Sequence, residues 1–371
     1  MLREHDNSVP AAELTEVNLA GVYSFARGLF KRGPMSPSET SYKSYNRLIS
    51  DDFVISTPKA WEGALALVTP EFDGWFLSPV FPTFRANRER LLPKFLEWYC
   101  KRKSVWGELQ RKSRGIGARR ESVHPEQFLS LEIPLPPLPE QRRVVGRIDE
   151  LEGQIQEALN IRMEATEESE ALLRSIITYD KRVKLTPMRE LVKLRPPDVT
   201  VCADETYQFA GVYCFGRGVF KALRKSGMDF AYPHLTRLRA GEFVYPKLMA
   251  WEGAFGVVPP ECTGCVVSPE FPVFEVNEDR VLHEVLDVFF RSPSVWSQVA
   301  GKSTGTNIRR RRLNPQDFLD YEMPLPSRET QMTLRKINAE VDTLKRLQAE
   351  TAAKLDALLP SILDRAFKGE L

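Results

Sequence analysis

Two kinds of hydrophobic spacing alternate along the chain. Short apolar runs such as Asp52-Phe-Val-Ile-Ser56 and Gly241-Glu-Phe-Val-Tyr245, bounded by Gly, Pro and Asp, predict strands closed by turns. Leu91 to Lys103 and Val281 to Arg291 predict helices. After Pro139 the pattern changes. Val144, Ile148, Leu151 and Ile155 recur at three and four residues, and Leu172 and Ile176 resume the series, which predicts one long amphipathic helix. A second seam runs through Leu334, Ile337, Val341, Leu344, Leu355, Leu358 and Ile362. Arg162 interrupts the first seam, and Gln348 and Thr351 the second. Two such seams in one chain are expected to pack on each other as an antiparallel coiled coil, where polar seam positions fix register at some cost in stability. The alternative is that each packs only on its own domain. About 40 residues of helix at ~1.5 Å each would span ~60 Å, a spacer between two globular heads. Pro187 and Arg195-Pro-Pro197 mark the entry to the second head, and Pro360 is expected to end or bend the last helix.

The chain is also written twice. Gly21-Val-Tyr-Ser-Phe-Ala-Arg-Gly-Leu-Phe-Lys31 recurs as Gly211-Val-Tyr-Cys-Phe-Gly-Arg-Gly-Val-Phe-Lys221, an offset of 190. The same offset pairs Ala60-Trp-Glu-Gly-Ala64 with Ala250-Trp-Glu-Gly-Ala254 and Ser78-Pro-Val-Phe-Pro82 with Ser268-Pro-Glu-Phe-Pro272. Ser104-Val-Trp106 and Pro134-Leu-Pro136 follow suit with Ser294-Val-Trp296 and Pro324-Leu-Pro326. An ungapped match of this length implies a tandem duplication. The fold expected is mixed α/β, with heads over residues 1–137 and 183–327 and spacer helices over 138–182 and 328–371. Residues 1 to 20 are shorter than the lead-in to the second copy and Glu190-Leu-Val-Lys-Leu194 has no counterpart, so the first head is expected either to lack a strand or to have a misassigned start.

Length and charge sharpen this picture. With 371 residues, two or more cores are expected. No stretch approaches the roughly 18 apolar residues of a membrane span, so no membrane segment is expected. Met1 to Pro10 is polar, which implies no secretory signal, a cytoplasmic location and reduced cysteines. The formal charge of +2 conceals a strong separation. Lys101 to Glu121 holds eight basic residues against two acidic ones, and Lys302 to Arg312 holds five basic residues and no acid. Ile148 to Arg174 holds eight acidic residues against two basic ones. Surfaces that attract and repel polyanions are thus segregated along the chain.

The segment Ile133-Pro-Leu-Pro-Pro-Leu-Pro-Glu-Gln-Arg-Arg-Val-Val-Gly-Arg-Ile-Asp149 resembles the junction between recognition domain and spacer helix in the DNA specificity subunits of type I restriction–modification systems. The ending Leu358-Leu-Pro-Ser-Ile-Leu-Asp-Arg-Ala-Phe-Lys-Gly-Glu-Leu371 resembles that family's C-terminus, and the blocks around Trp61, Trp251, Ser78, Ser268, Arg119 and Arg309 look like its target-recognition domains. The resemblance implies a subunit with no catalytic centre and no cofactor of its own. Each head would read a few base pairs of double-stranded DNA in a bipartite site; because the heads are so alike and antiparallel helices would relate them by a pseudo-twofold axis, the half-sites are expected to be similar and inverted. The helices would set the gap and bind two methyltransferase subunits, and restriction subunits can join such an assembly. S-adenosylmethionine and magnesium would belong to those partners. A rival reading is a coiled-coil scaffold whose heads bind protein.

The candidate DNA contacts follow from residue type. Lys112, Ser113, Arg114, Arg119 and Arg120 in one copy, and Lys302, Ser303, Thr304, Thr306, Asn307, Arg309, Arg310, Arg311 and Arg312 in the other, combine cations, hydroxyls and glycines suited to phosphates and groove edges. Arginine can fork onto guanine and Asn307 onto adenine. Lys59 and Lys247 lie beside the Trp-Glu-Gly blocks, two positions apart between copies, which predicts one face of a strand. Glu62 and Glu252 either accept from cytosine or belong to a turn that stabilises the fold; both readings stay open. Arg27, Lys31, Arg217 and Lys221 lie near glycines and face either DNA or solvent.

Other motifs lead nowhere. Gly301-Lys-Ser-Thr304 lacks the phosphate-loop glycine five positions earlier, where Trp296 stands. Cys262-Thr-Gly-Cys265 matches Phe72 and Trp75 in the other copy, which predicts core packing rather than metal. His5, His124, His234 and His283 are scattered, and neither a nucleophile motif nor a methyltransferase base-binding motif is present.

Overall fold

A computed structural model describes residues 1–113, 122–178, 183–301 and 312–371. The chain divides into two compact units, Met1–Asn160 with Thr351–Leu371, and Ile161–Glu350. The first unit runs through strands β1 (Leu2–Glu4), β2 (Ser8–Pro10), β3 (Val17–Val22), β4 (Leu29–Met35), β5 (Ser44–Arg47), β6 (Phe53–Ile55), β7 (Leu65–Leu67), β8 (Phe76–Leu77) and β9 (Thr83–Ala86). Helices α1 (Pro93–Cys100), α2 (Lys103–Lys112) and α3 (Pro125–Leu129) follow, and then α4 (Leu138–Thr178) begins. The strands form a five-stranded sheet, β2-β5-β8-β3-β4, and a four-stranded sheet, β1-β9-β6-β7.

β6 shows why its sequence is apolar throughout. Phe53 and Ile55 enter one core together with Phe95 and Trp98 of α1, while Val54 enters a second core with Leu48, Val68 and Leu77. A strand covered on both faces has no polar alternation to show.

The second unit repeats this plan. It opens on the end of α4, then β10 (Lys184–Pro187), β11 (Val192–Leu194), β12 (Val199–Thr200), β13 (Thr206–Val212), β14 (Val219–Ser226), β15 (His234–Arg237), β16 (Phe243–Val244), β17 (Gly256–Val257), β18 (Val266–Val267) and β19 (Val273–Val276). Helices α5 (His283–Phe290), α6 (Pro293–Gly301) and α7 (Pro315–Leu319), strand β20 (Glu322–Leu325) and helix α8 (Arg328–Ala366) complete the chain. Its sheets are ordered β12-β15-β18-β13-β14 and β11-β19-β16-β17, strand for strand those of the first unit, with the pair β10-β20 added.

Four expectations change. First, the segment 190–194 does have a strand counterpart in the first head: β1 pairs with β9 from Leu2↔Ala86, as β11 pairs with β19 from Val192↔Val276, and what the described residues of the first unit lack is a pair equivalent to β10-β20. Leu2-Arg-Glu4 escapes recognition because its side chains are mostly exposed edge positions. Second, the helix expected over Leu91 to Lys103 stops at Cys100, because Trp106 of the next helix donates its indole N–H to the Cys100 carbonyl at 2.7 Å. Trp296 does the same to Phe290 at 2.7 Å. Third, of the two outcomes expected at Pro360, an end or a bend, the first does not occur: α8 runs through Pro360 to Ala366. The missing backbone bond is offset by Leu359, Ile362 and Leu363, which pack into the core of the first unit. Fourth, the first seam drifts: Leu172 is exposed, and Leu173 and Ile177 are the buried residues.

The helices pair antiparallel. In the second unit Lys345 meets Glu170 at 2.7 Å while Gln348 accepts from the Thr166 hydroxyl at 3.2 Å, so one helix rises as the other descends. Gln348 also donates to the Arg162 carbonyl at 3.4 Å. The polar seam positions therefore meet each other, which fixes register. The helix ends also enter the heads: Leu173, Ile177, Leu334 and Val341 share the core of the second head, and Val144, Ile148, Leu363 and Ala366 that of the first.

A buried carboxylate is retained in both heads with a different cation. Asp52 accepts two bonds from Arg85, at 2.7 and 2.9 Å, and contacts His5 at 2.9 Å. Its equivalent Glu242 takes 2.6 Å from Arg195, which stands where His5 does in the first copy. An isolated buried charge is costly, so the pairing is obligatory while its geometry can vary.

Candidate nucleic-acid interface

The loop between β3 and β4 and the Trp-Glu-Gly turn are locked together by main-chain bonds. Phe25 N–H donates to the Glu62 carbonyl at 2.9 Å and Ala26 N–H to that of Gly63 at 2.8 Å. Phe215 and Gly216 bond Glu252 and Gly253 at 2.8 and 3.0 Å. The turn needs its glycine: Gly63 sits at φ +78°, and a Cβ there would lie 2.6 Å from the Trp106 ring. Gly253 repeats this against Trp296 at 2.3 Å. The repetition of the glycine in Trp-Glu-Gly is thus accounted for by packing.

Arg27 lies 4.8 Å over the Tyr23 ring and donates to the Ser24 carbonyl at 3.1 Å. Arg217 adopts the same posture, 4.9 Å over Tyr213 and 3.3 Å from the Cys214 carbonyl. Lys31 sits 5.4 Å over Trp75, and Lys221 lies on β14. Lys59 and Lys247 are in turns rather than on one strand face, because the preceding strands end earlier, at Ile55 and Val244, and the chain turns after them through Pro58 and Pro246. Lys59 pairs with Glu62 at 2.8 Å and Ser24 reaches the same carboxylate at 3.4 Å, so Glu62 is engaged within the protein. Burial, and then the carboxylate of Glu252, push the Cys214 thiol up.

Lys112 ends α2 and donates to the Ser130 carbonyl at 3.0 Å, and the Ser113 hydroxyl donates to Gln110 at 2.7 Å. Arg114, Arg119, Arg120, Lys302, Ser303, Thr304, Thr306, Asn307, Arg309, Arg310 and Arg311 lie outside the described residues. Arg312 pairs with Glu270, whose other oxygen lies 4.0 Å from Lys247, and Leu313 N–H donates to the Lys247 carbonyl at 2.9 Å. The fold therefore brings together Lys247 and Arg312, which are 65 residues apart in the chain. At the equivalent place the first head carries Thr57, Val80 and Ser122, with Val123 N–H donating to Thr57 at 2.8 Å. The two heads share a frame and differ in chemistry at this point.

Residue typing passed over the aromatic tips. Tyr23 and Phe25 are 40% and 62% exposed, and Tyr213 and Phe215 are 43% and 63% exposed. Apolar side chains are ordinarily assigned to the core; the signal available was their placement among glycines and arginine.

Other chemistry is thin. Cys262 and Cys265 are buried in a core cluster with Val258 and Val267, as the packing reading expects. Among the described residues no cluster of His, Cys, Asp or Glu has the composition of a metal site, and no helix is long and apolar enough to cross a membrane. An open cleft of about 990 Å³ in the second unit is lined by Arg217, Arg239, His283, Arg335 and also Glu261, Glu275, Glu284 and Asp287, a mixture ill suited to an anionic ligand.

No protein-family model matches the chain, and no curated protein matches it. Solved structures do. The HsdS subunit from Thermoanaerobacter tengcongensis is 22% identical, with all of this chain and 94% of that one aligned at a TM-score of 0.52. A chain from a structural study of complex assembly and conformational transition of the type I R-M system is 21% identical, with all of this chain and 98% of that one aligned at a TM-score of 0.63. The likeness is one of fold and extends over the whole chain.

Proposed function

We propose that this chain is the DNA specificity subunit of a type I restriction–modification complex. It performs no chemistry itself. It directs two methyltransferase subunits, and restriction subunits where they join, to double-stranded DNA in the cytoplasm. The single observation that carries this reading is whole-chain fold likeness to an HsdS subunit, in a molecule whose two heads repeat the same strand order.

In this reading residues 1–137 and 183–327 are the target-recognition domains, and 138–182 and 328–371 are spacers that set the gap and dock the methylation subunits. The target is bipartite, with similar inverted half-sites. Arg27, Lys59, Lys112, Ser113, Arg114, Arg119 and Arg120 contact one half-site. Arg217, Lys247, Lys302, Ser303, Thr304, Thr306, Asn307 and Arg309 to Arg312 contact the other. The contrast between Thr57, Val80 and Ser122 and Lys247, Glu270 and Arg312 makes the half-sites similar but not identical, since a fixed cation–carboxylate pair and a small hydroxyl select different base edges.

The test is long-read mapping of methylated bases in cells expressing the chain with its neighbouring methyltransferase, against cells without it. A new two-part methylated motif is expected. No motif, together with salt-insensitive failure of the assembled complex to bind DNA, would favour a protein-binding scaffold instead.

A further inference from the structure

The tips at residues 23–28 and 213–218 combine two features that protein folds usually avoid. Phe25 and Ala26 sit at φ 64° and 51°, and Phe215 sits at φ 63°. These left-handed conformations disfavour every residue but glycine, and a phenylalanine persists there only when its surroundings over-determine it. The surroundings do so through the four main-chain bonds to the Trp-Glu-Gly turns, closed by Tyr23 N–H to Gly28 at 3.0 Å and Tyr213 N–H to Gly218 at 2.9 Å. Yet the ring so positioned is not buried. It leans toward Trp106 or Trp296 with centroids 6.2 and 6.3 Å apart and leaves more than 60% of the residue in solvent.

Both copies keep this arrangement although the loop has otherwise changed, Ser24 to Cys214 and Ala26 to Gly216. Packing does not account for it, because an exposed phenyl ring contributes little to the core. Two residues along the chain a guanidinium is held over Tyr23 or Tyr213, in the first copy 6.0 Å from the Phe25 ring, so an aromatic face and a cation are offered together on a rigid tip. That pairing suits a nucleic acid, whose bases stack on aromatic rings while the neighbouring phosphates attract the cation.

We propose that Phe25 and Phe215 are wedge residues that stack on bases at an opened step within each half-site, with Arg27 and Arg217 neutralising the adjacent phosphates. The inference rests on the DNA-binding reading above. It adds the residues that deform the duplex, in the manner of apolar side chains inserted between base steps.

The experiment uses the full chain assembled with its methyltransferase subunits and a duplex carrying the mapped motif, with 2-aminopurine placed in turn at each half-site position. The parent complex is expected to bind and to raise 2-aminopurine fluorescence at one step per half-site. Phe25→Ala should weaken binding roughly tenfold or more and abolish the rise in its own half-site only; Phe215→Ala should do so in the other. Phe25→Tyr should retain both properties. Phe25→Gly, which relieves the backbone, should melt at or above the parent temperature while binding as weakly as Phe25→Ala, which separates the contact from folding. Equal binding by parent and alanine variants would overturn the proposal while leaving DNA recognition intact. So would silent 2-aminopurine with a loss reproduced by replacing thymine with uracil, which marks a methyl contact instead. A parent complex that binds no duplex would overturn the DNA-binding reading itself.

Discussion

Replacing Gln331 with leucine tests how each head is joined to its helix. Gln331 is buried; its carbonyl accepts from Leu282 N–H at 3.0 Å and its amide donates to Pro326 and Arg280 carbonyls at 3.0 and 3.2 Å. Gln141 makes the equivalent three bonds, to Leu92, Pro136 and Arg90, at 2.9, 2.8 and 2.8 Å. One side chain thus ties the proline-rich joint, the start of the spacer helix and the first turn of the head's own helix. Leucine occupies similar volume but leaves one N–H and two carbonyls without that partner. Three bonds at ~1 kcal/mol, plus the desolvation of groups left unpaired, come to about 3–6 kcal/mol. The apolar gain of leucine returns ~1–2 kcal/mol, so a net loss of about 2–4 kcal/mol is expected. At ~1.4 kcal/mol per tenfold, that is roughly two decades of amide protection. Hydrogen exchange read at Leu282 in Gln331→Leu, and at Leu92 in Gln141→Leu, should show it, each effect confined to its own unit. Losses under ~0.5 kcal/mol by urea unfolding, no greater than for the exposed Gln154→Leu, would refute the clamp.

Three further outcomes follow from the same structure. Gly63→Ala and Gly253→Ala should each cost about 2–4 kcal/mol in urea unfolding, joining left-handed strain to overpacking against tryptophan; Gly264→Ala, at φ +84° with nothing within 4 Å, should cost only ~1 kcal/mol, and equal costs would remove the packing argument. Burial pushes the Glu170 carboxyl up, but the bond and charge of Lys345, with Arg291 and Arg174, outweigh it and hold it below the ordinary carboxylate range. Its stabilisation is therefore present above an unfolded value of ~4.3 and lost as pH falls through the folded value; Glu170→Gln should lose a few tenths of a kcal/mol to ~1 kcal/mol at pH ~7 and converge with the parent in acid, and a deficit that grew on acidification would contradict this. Deleting matched heptads between Leu151 and Leu173 and in the facing stretch of α8 should shorten the gap of the methylated motif and leave both half-sites unchanged; altered half-sites would refute the spacer role.

Periodicity and self-similarity are local properties, and the sequence alone determined what depends on them. The repeat offset of 190 recovered the equivalence of the two heads, whose sheets follow the same strand order. The three-and-four spacing of Val144, Ile148, Leu334 and Val341 announced the two long helices. Strand order, by contrast, follows from pairings between distant residues, such as Leu2 with Ala86, and no window of sequence contains them. The seam drifted from Leu172 to Leu173 because a straight α-helix turns every 3.6 residues and departs from a strict heptad over this length. Only the tertiary structure decided that Lys247 and Arg312 converge on Glu270, that Asp52 and Glu242 find their cations from different strands and loops, and that Phe25 and Phe215 face water. Each outcome depends on which surfaces the distant chain has already covered, and residue type alone does not carry that information.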